Sequence, residues 1–97
     1  MKIDAMIPGV RCVRKRDGVT FQPFDSDKIA AAVRKAWEGA EGSIDPVKVA
    51  QIVMTVANTI DAEVIDVEQI QDAVEIALMR FKAFAVAKAY IVYRQKR

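Results

Sequence analysis

From Ile29 onward apolar residues return every three or four positions, and the gaps between these runs carry helix-start or helix-stop chemistry. A chain patterned this way must build most of its fold from packed helices. Ile29, Val33, Ala36 and Trp37 share one helical face, with Asp25 or Ser26 placed to cap it, Asp27 in its first turn and Gly39 available as a left-handed stop. The spacing predicts a first helix over roughly 26 to 38. Asp45 followed by Pro46 opens a second, whose buried side is read as Val49, Val53, Val56, Ala57 and Ile60. Asp66, with Gln69 three positions on, makes a capping-box-like start for a third, carrying Ile70, Val74, Ala77, Leu78 and Phe81 inward. Val86, Ala89, Tyr90 and Tyr93 define a last helical face, and a break is expected at Arg80-Phe81-Lys82-Ala83, although no Gly or Pro marks it.

Ahead of the helices, Asp17-Gly18 lies between short extended segments, a strong hairpin signal because Gly supplies positive φ at small cost. Residues 10 to 23 therefore read as a hairpin. With Asp17 and Gly18 as a two-residue loop, Arg16 lies opposite Val19, Lys15 opposite Thr20 and Val13 opposite Gln22. The expected fold class is α+β and mostly helical, an N-terminal β-hairpin followed by a bundle of about four helices. Residues 1–9 end in Pro8-Gly9 without periodicity and read as a flexible lead-in, leaving 10–97 as one domain. The chain stops without a terminating residue after Arg94-Gln95-Lys96-Arg97, as a domain cut from a longer polypeptide would.

Composition narrows the chemistry. Hydrophobic residues at 53% and charged residues at 29% describe a globular chain, and a net charge of +2 is too mild for a general nucleic-acid binder. One cysteine and no histidine exclude an intramolecular disulfide and a Cys/His zinc site. With no long apolar run or secretory leader, a soluble cytoplasmic protein without membrane contact is expected. The scattered glycines form no P-loop, and the acidic residues fall mostly at helix caps rather than where phosphoryl transfer would place magnesium and a base. Binding without catalysis is the inference.

Arg14, Lys15, Arg16 and Lys28 crowd around the hairpin turn and the first turn of the first helix. A cation in that turn opposes the helix dipole, so either Asp25 and Asp27 or a bound polyanion must offset Lys28. The second alternative makes the region a polyphosphate site.

Val13-Arg14-Lys15-Arg16-Asp17-Gly18, then Gln22-Pro23-Phe24-Asp25 and Lys28-Ile29, resemble the V-x-K-R-D-G and P-F-D-x-x-K-I opening of the ATP-cone family. Ile70-Gln71-Asp72-Ala73-Val74-Glu75 with Leu78-Met79, and Val86 to Arg94, are similar to its I-Q-D-x-V-E, L-M and V-A-K-A-Y-I-x-Y-R signatures. The resemblance runs from residue 12 almost to the end. It implies a regulatory domain, not an enzyme, that binds ATP or dATP with magnesium and switches the activity or oligomeric state of a ribonucleotide reductase. The implied partners are a reductase catalytic domain or second subunit and further copies of the chain itself.

Carried over by position, Val13 contacts the nucleotide through its backbone, Lys15, Arg16 and Lys28 bind phosphates, and Ile29 lines the pocket. Gln22 and Asp25 fall where the family reads adenine, Val67 and Gln71 where it faces sugar and phosphates, and Arg94 is a further phosphate ligand. Two departures accompany the match: the segment from Val19 to Phe24 is one residue longer than usual, to be absorbed by a bulge at Phe21, and Gln22 stands where many relatives have glutamate. Two other functions compete with this one. The basic hairpin and the Arg94 to Arg97 tail suit a small nucleic-acid-binding module, and the alanine-rich first and last helices suit a helical oligomerisation module without ligand.

Overall fold

In the computed structural model, which describes residues 12–60 and 63–96, the hairpin and helices expected from the pattern are joined by a strand that the pattern does not announce. The lead-in at residues 1–9 lies outside the described residues. β1 (Cys12–Arg14) pairs antiparallel with β2 (Phe21–Pro23) in the register Cys12 to Pro23, Val13 to Gln22 and Arg14 to Phe21. This is the register expected around Asp17-Gly18. The unforeseen strand β3 (Val64–Asp66) pairs parallel with β1, Val13 meeting Ile65 and Arg14 meeting Asp66, so the order is β2-β1-β3. Strand alternation sends Val13 and Ile65 into the core at 6% and 7% exposure.

The loop differs from the expected two-residue turn. Gly18 N–H donates to the Lys15 carbonyl at 3.0 Å and Lys15 N–H to the Thr20 carbonyl at 2.8 Å, so four residues lie between Lys15 and Thr20. Gly18 has φ +79, while Asp17 is not at positive φ, as a type I′ turn would demand. Instead the Asp17 carboxylate accepts from Val19 N–H at 2.9 Å, from Thr20 N–H at 2.8 Å and from the Thr20 hydroxyl. An aspartate that folds its side chain over the following amides replaces the mirror-image turn. Nor does Phe21 bulge: it pairs with Arg14 in an unbroken ladder, and the longer segment is absorbed by the loop.

α1 (Ser26–Glu41) starts at Asp25, whose side chain accepts from Asp27 N–H at 2.9 Å. It runs through Gly39 and ends at Gly42, at φ +78, whose N–H reaches the Glu38 carbonyl at 2.8 Å. α2 (Pro46–Thr59) begins at Asp45 as expected, and its inward side includes Ile52, fully buried, beside Val49, Val56 and the following Ile60. α3 (Val67–Arg80) follows β3 directly, with Gln69 Oε1 accepting from Asp66 N–H at 3.1 Å. The expected break before α4 (Phe84–Gln95) is present. Lys82 adopts the left-handed conformation at φ 61, its N–H bonds the Met79 carbonyl, and Ala83 N–H bonds the Leu78 carbonyl, both at 2.9 Å. This is a Schellman closure with lysine in the position that glycine favours.

α1 packs on α4 and α2, and α3 on α2 and α4, so each helix touches two others around Val33, Ile52, Val56, Val74, Leu78 and Val86. No charged or polar residue is buried among the described residues, so apolar contact carries the core. Within the same residues no helix is long and apolar enough to cross a membrane.

A left-handed L-residue costs about 1–2 kcal/mol, partly returned here by what glycine loses on folding. Lys82→Gly should therefore raise unfolding free energy by about 0.5–1 kcal/mol and Lys82→Val should lower it by about 1 kcal/mol. Urea denaturation of the three chains checks the order, and a glycine variant weaker than the parent would refute it.

Candidate functional site

The β1–β2 loop, the first two turns of α1, the start of α3 and the end of α4 converge on a cavity of about 380 Å³. Lys15, Arg16 and Asp17 approach it from the loop, Ile29 and Ala32 from α1, Val67, Ile70 and Gln71 from α3, and Tyr90 and Tyr93 from α4. Its volume suits a small-molecule site, with cations at one side and an apolar and aromatic wall at the other. A second hollow of about 410 Å³ adjoins it, lined by Arg14, Gly18, Asp66, Glu68, Gln69 and Asp72 and sharing Lys15, Arg16 and Val67 with the first.

Of the residues singled out in the sequence, Lys15, Arg16, Ile29, Val67 and Gln71 meet at the cavity. The others do not line it. Val13 is a core side chain beneath the sheet. Gln22, Asp25 and Lys28 gather at the start of α1, where Lys28 Nζ donates to Gln22 Oε1 at 3.3 Å and the Asp25 carboxylate caps the helix. Gln22 is thus turned by a cation of its own chain, and Asp25 serves as a cap.

Arg94 lies between α4 and α3 at 16% side-chain exposure, its Nη1 donating to Asp72 Oδ1 at 2.9 Å and to Glu75 Oε2. Burial opposes its charge, but the bonds to Asp72 and Glu75 outweigh that and raise its pKa further. Reaching a phosphate requires this guanidinium to leave two carboxylates. Arg16 is also engaged: one terminal nitrogen donates to Gln71 Oε1 at 3.0 Å and to the Arg94 carbonyl at 3.2 Å, and its Nε lies 3.9 Å from Glu68 Oε2. Among the described residues Lys15 is the cavity-lining cation without a side-chain hydrogen bond, its charge felt by the Asp17 carboxylate.

Arg14, outside the sequence-derived set, donates from Nε to Asp66 Oδ1 at 2.5 Å across the β1–β3 pair. That bond and the opposed charge hold the Asp66 carboxyl below the usual carboxylate range and push the Arg14 guanidinium up. The Asp17 carboxyl is lowered first by the Thr20 hydroxyl and then by the Thr20 and Val19 amides. The aromatic wall was also missed as part of a site, because Tyr90 and Tyr93 follow the helical period and read as core. Tyr90 is indeed buried at 4% exposure, its ring centroid 6.1 Å from that of Tyr93. Helical spacing cannot distinguish a core face from one that also closes a cavity.

A family model of the ATP cone domain matches residues 11–97. The chain is 40% identical over 85 residues to the vitamin B12-dependent ribonucleoside-diphosphate reductase of Mycobacterium tuberculosis, covering 88% of this chain and 12% of that protein. It is 41% identical over 95 residues to the enzyme of the same description from Thermoplasma acidophilum, covering 91% and 12%. Against the ribonucleoside-diphosphate reductase subunit alpha of Chlamydia trachomatis it is 36% identical over 90 residues, covering 80% and 9%. The chain thus spans from 9% to 12% of the length of these relatives.

Burial pushes the Tyr90 hydroxyl up from 10.0 to about 12. The folded chain keeps a proton that the unfolded chain releases, so stability falls as pH rises across that interval. Tyrosinate absorbance during alkaline titration should show one late step at about 12 that Tyr90→Phe removes; a late step surviving that change would contradict the assignment. Asp17 works in the opposite direction. Its lowered carboxyl contributes stability above the usual carboxylate range and loses it as pH falls through its lowered value, so Asp17→Asn should flatten the acid limb of a stability profile.

Proposed function

The chain belongs to the ATP-cone family, and on that premise we propose that it is an allosteric nucleotide-sensing domain holding ATP or dATP in the cavity between the hairpin loop, α1, α3 and α4. The observation that carries this reading is the meeting of Lys15, Arg16, Ile29, Val67 and Gln71 at one cavity, from segments far apart in sequence. Triphosphate oxygens sit against Lys15 and Arg16, where charge-assisted hydrogen bonds are strongest. Gln22 in β2, with Asp25 and Lys28 at the start of α1 and the Val13 backbone in β1, lies outside the cavity lining and would complete the base and phosphate contacts from its rim. Ile29, Val67 and the two tyrosines supply the apolar wall, and Gln71 supplies an amide able to donate and accept. Arg94 joins the phosphates when it leaves Asp72 and Glu75.

Magnesium enters with the nucleotide. Beside a nucleotide it takes phosphate oxygens, water and at most one or two carboxylates, and Asp66, Glu68 and Asp72 line the adjoining hollow. The domain works on a catalytic partner. Its relatives are reductases in which the matched stretch is a small share of the protein, and occupancy of the cavity alters the helical surface offered to a reductase catalytic portion or to another copy of the chain. Binding without turnover remains the reading of the sequence, which has no P-loop and places its acidic residues mostly at helix caps.

Isothermal titration of the chain with ATP and with dATP, magnesium present, should give saturable heat. Lys15→Ala should weaken both by ~1–3 kcal/mol through loss of a charge-assisted contact. Silence with both nucleotides would end the reading.

A further inference from the structure

Arg16 bridges three parts of the fold. It leaves the hairpin loop, donates to Gln71 on α3 and to the Arg94 carbonyl on α4, positions 55 and 78 residues along the chain, and faces Glu68 at 3.9 Å. A guanidinium has donors and no acceptor, so it holds the Gln71 amide with the oxygen turned toward it. The Arg94 carbonyl is one of the last four of its helix and is approached by the N–H of the cap Lys96, so Arg16 adds a side-chain donor there and helps to fasten the C-terminal turn of α4. Both partners are neutral oxygens. The nitrogen making these bonds sits on a residue that also lines the cavity, beside Lys15. A phosphate oxygen arriving there offers a charge-assisted bond, roughly twice as strong as a neutral one.

We propose that Arg16 is a clasp that reports the state of the cavity to the end of α4. This rests on the nucleotide-binding reading of the same cavity. In the ligand-free chain the guanidinium fastens the last turn of α4 to the loop and to Gln71. A polyanion bound at Lys15 draws it away from the Arg94 carbonyl, and that turn loosens. Only the difference in affinity between the clasped and released states moves the equilibrium, and the exchange of two neutral acceptors for a close anionic one supplies it, the exposed Glu68 carboxylate at 3.9 Å being a weak competitor. Arg16 is therefore a positioning residue without ligand and a phosphate contact with it. Both bonds leave one terminal nitrogen, so lysine has enough donors to make them, but its nitrogen ends one bond nearer the backbone and it has no counterpart of the Nε that faces Glu68, so it holds the Gln71 oxygen and the Arg94 carbonyl less well.

The test is amide hydrogen exchange in the last turn of α4, on the parent chain, Arg16→Ala and Arg16→Lys, each without ligand, with ATP and with inorganic tripolyphosphate. Calorimetry on the same samples reports binding. Loss of one hydrogen bond should speed exchange there about two- to tenfold in ligand-free Arg16→Ala, with Arg16→Lys between that variant and the parent. Either ligand should speed it similarly in the parent and leave Arg16→Ala unchanged. Parent chain that binds ATP with exchange in that turn unaltered or slowed, or ligand-free Arg16→Ala that exchanges like the parent, would overturn the clasp. Absence of calorimetric binding by the parent would instead remove the nucleotide reading, a separate failure.

Discussion

The parallel pairing of β3 with β1 is the contact on which the site depends. It brings Val64–Asp66 beside Cys12–Arg14 across a crossover that contains both α1 and α2, and α3 begins at the very next residue. Without that pairing the hairpin would be a two-stranded ribbon, marginal by itself in water. With it, Val13 and Ile65 close one side of the core, Arg14 meets Asp66, and the first turn of α3 is carried to the hairpin loop. Val67 and Gln71 reach the cavity for this reason. The cost is entropic, because the ordering of the long crossover must be offset by burial, and the helices it contains provide that burial through Val33, Ile52 and Val56.

The cations around the loop divide according to whom they bond. Arg14 is spent on Asp66, Arg94 on Asp72 and Glu75, and Arg16 on Gln71, a helix-terminal carbonyl and, at 3.9 Å, Glu68, while Lys28 donates to the Gln22 amide. Exposed ion pairs such as that of Arg14 add little to stability, so their value here is positional. They hold strand, loop and helix ends in fixed relation around a cavity whose walls are apolar. A regulatory site needs such bonds to be exchangeable: an anion competes well against neutral acceptors and one exposed carboxylate at 3.9 Å, and poorly against two carboxylates in direct contact, so Arg16 is more readily recruited than Arg94.

Much of this was legible before the structure. Caps at Asp25, Asp45 and Asp66 and apolar recurrence located every helix, since both signals are local. The errors have local causes too. Gly39 looked like the end of α1, but Ala40 and Glu41 are good helix formers and the stop falls at Gly42. Asp17-Gly18 looked like a two-residue turn, but the Asp17 carboxylate caps Val19 and Thr20 and selects a longer loop. Ile52 falls outside the buried side that the spacing indicates for α2, yet it is fully buried. The candidate residues on the loop, α1 and α3 converge, whereas Gln22, Asp25 and Arg94 are engaged elsewhere, which their positions in the chain do not disclose.

The order of side chains along the chain determined the helices, the hairpin register and the crowding of positive charge near its turn, because each follows from interactions over a few residues. Tertiary structure decided the rest: that Val64–Asp66 becomes a strand, that Tyr90 and Tyr93 wall a cavity, and which cation is already bonded. A three-residue strand is too short to show alternation, and its parallel partner lies some fifty positions away. Pairing at that range is selected by the burial of the whole core, which no local pattern encodes.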